Sequence, residues 1–107
     1  MRGLLTKQLR SQIPKLYTTE STPMLDKVAF VKLFMPWSSW KWYIMEFDGN
    51  DTCFGLVVGQ ETEFGYFSLK ELSQIEPEYG LPVERDENFR PTAVQDLSLF
   101  KQERVAA

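Results

Sequence analysis

A chain of 107 residues, 43% hydrophobic and 25% charged, carries enough apolar material for one core and too little for two, and lies far from the composition of disordered chains. Its net charge of −3 lacks the basic footprint of a protein that holds duplex DNA by its phosphates, and its lack of histidine removes the commonest general base, the commonest metal ligand and every Ser-His or Cys-His nucleophile arrangement. Cys53 stands alone, so no intramolecular disulfide is available, and no run approaches the roughly 18 apolar residues of a membrane span; a cytoplasmic, membrane-free protein is expected.

In chain order, Leu5, Leu9 and Ile13 fall at i, i+4 and i+8 with Thr6 placed to cap, which predicts a short helix over 4–13 ended by Pro14. Residues 17–23 are rich in Ser and Thr and read as a surface loop. The stretch 27–35 is almost wholly apolar, β-branched or aromatic apart from Lys32, and predicts one strand covered on both faces and closed by Pro36. A second strand over 40–48 places Trp40, Trp42, Ile44 and Glu46 on one face and Lys41, Tyr43, Met45 and Phe47 on the other. Asp48-Gly49-Asn50-Asp51 has the chemistry of a tight hairpin turn. In the third strand, over 52–60, Gly55 and Gly59 leave room for something large, an aromatic ring or a helix.

Residues 61–63 form a polar hairpin loop and 64–67 a short fourth strand. Ser68-Leu69-Lys70-Glu71 fits the capping-box pattern and opens a second helix, with Leu69, Leu72 and Ile75 as its apolar stripe and Pro77 beyond its end. Residues 81–86 predict an extended edge segment. Val94, Leu97 and Phe100, three apart, predict a short helix, and 101–107 fray. The expected fold is α+β: a four-stranded antiparallel meander packed by the N-terminal helix and the helix after strand four, plus a short C-terminal edge segment. Residues 1–107 form a single domain, with 97–107 as a C-terminal extension.

Aromatic side chains make up 14% of the chain, and each buries about 150 to 250 Å² when packed, so core filling has first claim on them. Trp40 and Trp42 share a strand face with Ile44 and read as packing, whereas Trp37, in a loop after proline, is open between packing and partner contact; with Tyr43 these rings are the candidate binding cluster. Glu46 falls on an otherwise apolar face and requires a cation, Lys32 or Arg85, as an ion-pair partner unless it serves a ligand. Asp48, Asp51, Glu61 and Glu63 read as solvated hairpin carboxylates without calcium-loop spacing. Arg85, between Glu84 and Asp86, either docks on the domain or meets a ligand anion. Cys53 reads as an inert small hydrophobe. No catalytic residue, metal site or cofactor is expected.

The segments 36–43, 46–48, 54–57, 63–72 and 80–86, with Leu5-Thr6 before them, resemble a bacterial family of unknown function, DUF2958, over most of the chain and up to Asp96. That resemblance implies carriage on plasmids, phages or integrative elements, beside antirestriction and DNA-processing proteins, and hence an accessory or anti-defence role. The leading expectation is a non-catalytic module that binds a host or element-encoded protein through Trp37 and the adjacent hairpin. The alternative is single-stranded nucleic-acid binding, with sheet aromatics stacking bases and Lys27, Lys32, Lys41 and Arg85 supplying charge. An enzyme would have to run on carboxylates, Lys, Tyr or a bound metal, since histidine is missing. An exposed edge strand is also compatible with a homodimer.

Overall fold

In the computed structural model, which describes residues 3–77 and 80–100, helix α1 spans Lys7–Gln12. The Thr6 hydroxyl accepts the Leu9 N–H at 3.1 Å, satisfying one orphan donor of the first turn. The buried Leu5 and Ile13 flank this short helix and anchor it from both ends.

The stretch expected to be one strand is two. Strand β1, Val28–Ala29, and strand β2, Val31–Phe34, are separated at Phe30, whose N–H donates to the Ile44 carbonyl at 2.8 Å. Ala29 and Val31 have the same parity yet belong to different core clusters, so the chain changes sides of the sheet at Phe30. β3 (Lys41–Phe47), β4 (Thr52–Val58) and β5 (Thr62–Ser68) continue the meander, α2 (Leu69–Ser73) follows, and β6 (Glu84–Arg85) pairs antiparallel with β2. Among the described residues the main sheet therefore has five strands, in the order β5-β4-β3-β2-β6, where four were expected: the extended segment supplies the fifth because its register, Leu33 against Arg85 and Phe34 against Glu84, completes the free side of β2. A second, two-stranded sheet joins β1 to β7 (Thr92–Ala93).

Apolar side chains gather on both faces of the main sheet. One cluster holds Trp42, Ile44, Phe47, Leu69 and Leu72 with Leu5 and Ile13; the other holds Ala29, Tyr43, Met45, Leu56, Val94 and Leu97. The C-terminal helix predicted from Val94, Leu97 and Phe100 begins instead with a 3-10 turn over Val94–Asp96, with Val94 and Leu97 buried, while residues 101–107 lie outside the described residues. Among the described residues no helix is long and apolar enough to cross a membrane.

A β-bulge in β3 overturns one expectation that matters for function. Lys41 to Ile44 pair regularly with Val58 to Gly55, then the register shifts by one and Glu46 pairs with Phe54 and Phe47 with Cys53. Met45 is the extra residue. Beyond it the alternation inverts: Phe47 joins Trp42 and Ile44, and Glu46 leaves the tryptophan face for the side of Phe54. The bulge also explains Gly55, since a Cβ there would stand 1.7 Å from the Tyr43 carbonyl oxygen. At Gly59 the space belongs to a ring, as expected: a Cβ would meet the tip of the Trp40 indole at 2.4 Å.

Candidate functional site

Four of the sequence candidates are packing elements to differing degrees. Trp42 is buried, and Trp40, more than a third exposed, lies across Gly59 with its ring 5.9 Å from that of Trp42. Tyr43 is buried against Phe89 at 5.8 Å, and burial, with Asp86 adding to it, pushes its phenol above the ordinary pKa. Trp37 is half-buried, and its indole N–H donates to the Leu81 carbonyl at 2.8 Å, which ties the loop after β2 to the segment leading into β6. Arg85 docks: its guanidinium donates to the Leu4 carbonyl at 2.6 Å and stands 3.9 Å from Glu87. Lys32 is 3.7 Å from Asp86. Neither cation pairs with Glu46: the bulge turns that carboxylate away from the face of Arg85, which stands opposite Leu33, while Lys32, opposite Tyr43 on the face Glu46 joins, is paired with Asp86.

Glu46 is buried at 3% exposure and is held by the loop between α1 and β1. Its Oε1 accepts the Tyr17 N–H at 2.8 Å, and its Oε2 accepts the Thr19 N–H at 3.2 Å and the Thr19 hydroxyl. The buried Lys27 donates in turn to the Thr19 carbonyl and hydroxyl. Burial alone would raise the Glu46 pKa, but the Thr19 hydroxyl, the Tyr17 and Thr19 N–H groups and the Lys27 charge outweigh it and hold the carboxyl below its ordinary value.

This arrangement fixes an unusual backbone. Tyr17 has φ +70°, a left-handed conformation in which a bulky residue carries strain of about 1 to 3 kcal/mol. Its side chain is 60% exposed. The ring lies 6.3 Å from that of Tyr66, itself 54% exposed, and Tyr66 in turn contacts Phe54 at 5.1 Å. The Tyr66 phenol is held above its ordinary pKa, first by the adjacent Tyr17 side chain, then by burial and by the Tyr17, Glu46 and Glu20 charges. Tyr17, Tyr66, Phe54, Met24, Lys27 and Glu46 line a shallow cavity of about 540 Å³. Exposed Met24 and Leu25 extend apolar surface along the preceding turn.

Sequence reasoning passed over Tyr17 and Tyr66. Tyr17 stood alone in a polar loop, and only its backbone conformation and the distant Glu46 single it out. Tyr66 was legible in part, since the short β4–β5 hairpin sets Phe54 opposite Tyr66.

The hairpin carboxylates divide in the same way. Asp48 Oδ1 accepts the N–H groups of Asn50, Asp51 and Thr52 at 2.8, 2.8 and 3.1 Å, which lowers its pKa. Asp51 receives the Ser68 hydroxyl and the Lys70 N–H, and so caps α2 together with Ser68, whose oxygen accepts the Glu71 N–H at 3.1 Å. Cys53 is buried and its thiol is pushed up to about 12, by burial first and by Asp51 and Asp48 after it. Among the described residues no three His, Cys, Asp or Glu side chains converge to hold a metal ion.

Comparison with known proteins returns one family. The family described as a protein of unknown function, DUF2958, matches residues 4–105, a span that continues past Asp96. No curated protein and no solved structure matches the chain significantly.

Proposed function

The chain belongs to the DUF2958 family, and since that family's description carries no activity, we propose a function from the surface itself: a protein-interaction module that engages its partner through Tyr17, Tyr66 and Phe54. The observation that carries this reading is Tyr17. A buried carboxylate, two backbone N–H groups and a hydroxyl are committed to holding one tyrosine in a strained backbone conformation with its ring in solvent. Strain retained at an exposed aromatic is characteristic of contact sites, and tyrosine rings are frequent anchors of protein interfaces because they present large rigid area with few rotors to order.

The charges around the surface favour a protein over single-stranded nucleic acid. Of the four cations expected to meet phosphates, Lys27 is bonded to Thr19, Lys32 is paired with Asp86 and Arg85 is docked on Leu4. Glu20 and Glu46 line the aromatic cavity. Affinity capture with wild-type protein and with Tyr17→Ala, Tyr66→Ala and Leu81→Ala tests the assignment. Both tyrosine variants are expected to lose a partner that wild type and Leu81→Ala retain; identical partner sets across all four would refute it.

A further inference from the structure

The two ends of the main sheet differ in kind. At one end β6 is two residues long, both charged, and Pro82 precedes it, which are the devices that keep an edge from recruiting another strand. At the other end β5 runs seven residues, Thr62-Glu63-Phe64-Gly65-Tyr66-Phe67-Ser68, in unbroken register with β4. It contains no proline or lysine and no bulge, and among the described residues no strand pairs with its outer side.

The hydrogen-bond phase of that edge follows from the bonds at its two ends. Gly59 N–H donates to the Glu61 carbonyl at 3.0 Å and Leu69 N–H to the Asp51 carbonyl at 3.1 Å. With Thr52 against Ser68 and Val58 against Thr62, residues 61, 63, 65, 67 and 69 turn their backbone groups toward β4. Thr62, Phe64, Tyr66 and Ser68 turn theirs outward.

We infer that the outer edge of β5 is a homodimer interface, in which two copies pair their β5 strands antiparallel about a two-fold axis at Gly65 and join the two sheets into one. The residues of the edge are complementary to themselves in this register. Thr62 meets Ser68 of the second copy and Phe64 meets Tyr66, both as hydrogen-bonded pairs, so each outward N–H and C=O finds a partner. Glu63, the only charge in the strand, meets Phe67, so no like charges face each other. Phe64 and Tyr66 lie on the same face as Leu56 and Phe54, their partners in β4. The two-fold therefore sets the Tyr17–Tyr66 surfaces of both copies side by side on one face. The inference stands on the strand edge alone and holds whether or not that surface binds a partner.

Sedimentation and light scattering should return twice the chain mass for wild type, with dissociation on dilution. Tyr66→Pro removes an outward N–H that no strand among the described residues of its own chain uses, and is expected to be monomeric with an unchanged circular dichroism spectrum. Gly65→Cys provides a second test that does not depend on a destabilising change, since a Cβ at Gly65 meets no atom within 4 Å. At the two-fold the two Cα atoms of residue 65 form a non-hydrogen-bonded pair about 4.5 Å apart, within reach of a disulfide. Gly65→Cys should therefore cross-link to a covalent dimer on mild oxidation, while Glu61→Cys does not. Tyr17→Ala should remain dimeric, which separates this interface from the aromatic contact surface. A wild type that is monomeric at every accessible concentration overturns the inference. So does a dimer that survives Tyr66→Pro and fails to cross-link through position 65.

Discussion

Glu46 owes its stabilising role to the charge it keeps. The Tyr17 and Thr19 N–H groups and the Thr19 hydroxyl all donate to it, and a glutamine in its place would turn an amide donor toward donors. Glu46→Gln is expected to cost roughly 1.5 to 3 kcal/mol, the worth of hydrogen bonds to a charged acceptor. Because the folded pKa lies below the ordinary value, the contribution is complete above the unfolded carboxyl value of about 4.3 and is lost as pH falls through the folded one. Urea unfolding near pH 7 and near pH 3 should show wild type losing more stability on acidification than Glu46→Gln, with Asp48, also lowered, leaving a residual slope in both. Equal losses would contradict this account. The sequence marked Glu46 as anomalous, a carboxylate on an apolar strand, but assigned it the wrong face and the wrong cations. Its real partners are loop amides 27 and 29 residues away, and no periodicity reports those.

At the level of elements, the bulge at Met45 separates what alternation could deliver from what it could not. Trp42 and Ile44 on one face and Tyr43 and Met45 on the other were legible, because a period of two is reliable while the ladder is regular. One inserted residue inverts everything after it and leaves no mark in the hydrophobic pattern of β3; the mark is Gly55 on the neighbouring strand. Gly55→Ala sets a methyl against backbone that has no freedom to withdraw, so a destabilisation of about 3 kcal/mol or more, or failure to fold, is expected. Gly59→Ala meets only the tip of the Trp40 side chain, which can swing away, and should cost about 1 kcal/mol or less beyond any gain from replacing glycine in a strand. Thermal unfolding of the pair checks the order, and a Gly55→Ala protein as stable as Gly59→Ala would count against a bulge at this position. The single strand expected over 27–35 missed its break for a related reason: Phe30 is as apolar as its neighbours, and only the second sheet formed by β1 and β7 demands the change of side.

For the molecule as a whole, composition and pattern were enough to reach an α+β domain with an antiparallel meander, the cap at Thr6 and the cap at Ser68. The fifth strand was seen as an extended edge segment and not as a member of the sheet, since pairing partners far apart in sequence are set by tertiary packing. Cys53 offers a probe of the intact fold. It sits fully buried on an interior strand with its thiol pushed up to about 12, so a thiol reagent should label it only through opening of the sheet, at a rate that rises with urea in step with global unfolding. Labelling of the native protein at the rate of a free thiol would contradict the packing described. The bond from Arg85 to the Leu4 carbonyl spans 81 residues, and that from Trp37 to Leu81 spans 44, whereas tight turns join β3, β4 and β5. In kinetic terms the meander closes small loops and is free to form early, while α1 and β6 must wait for nearly the whole chain to come together. On unfolding, the N-terminal helix and β6 are expected to detach first, from the edge opposite β5, while the aromatic edge is still in place.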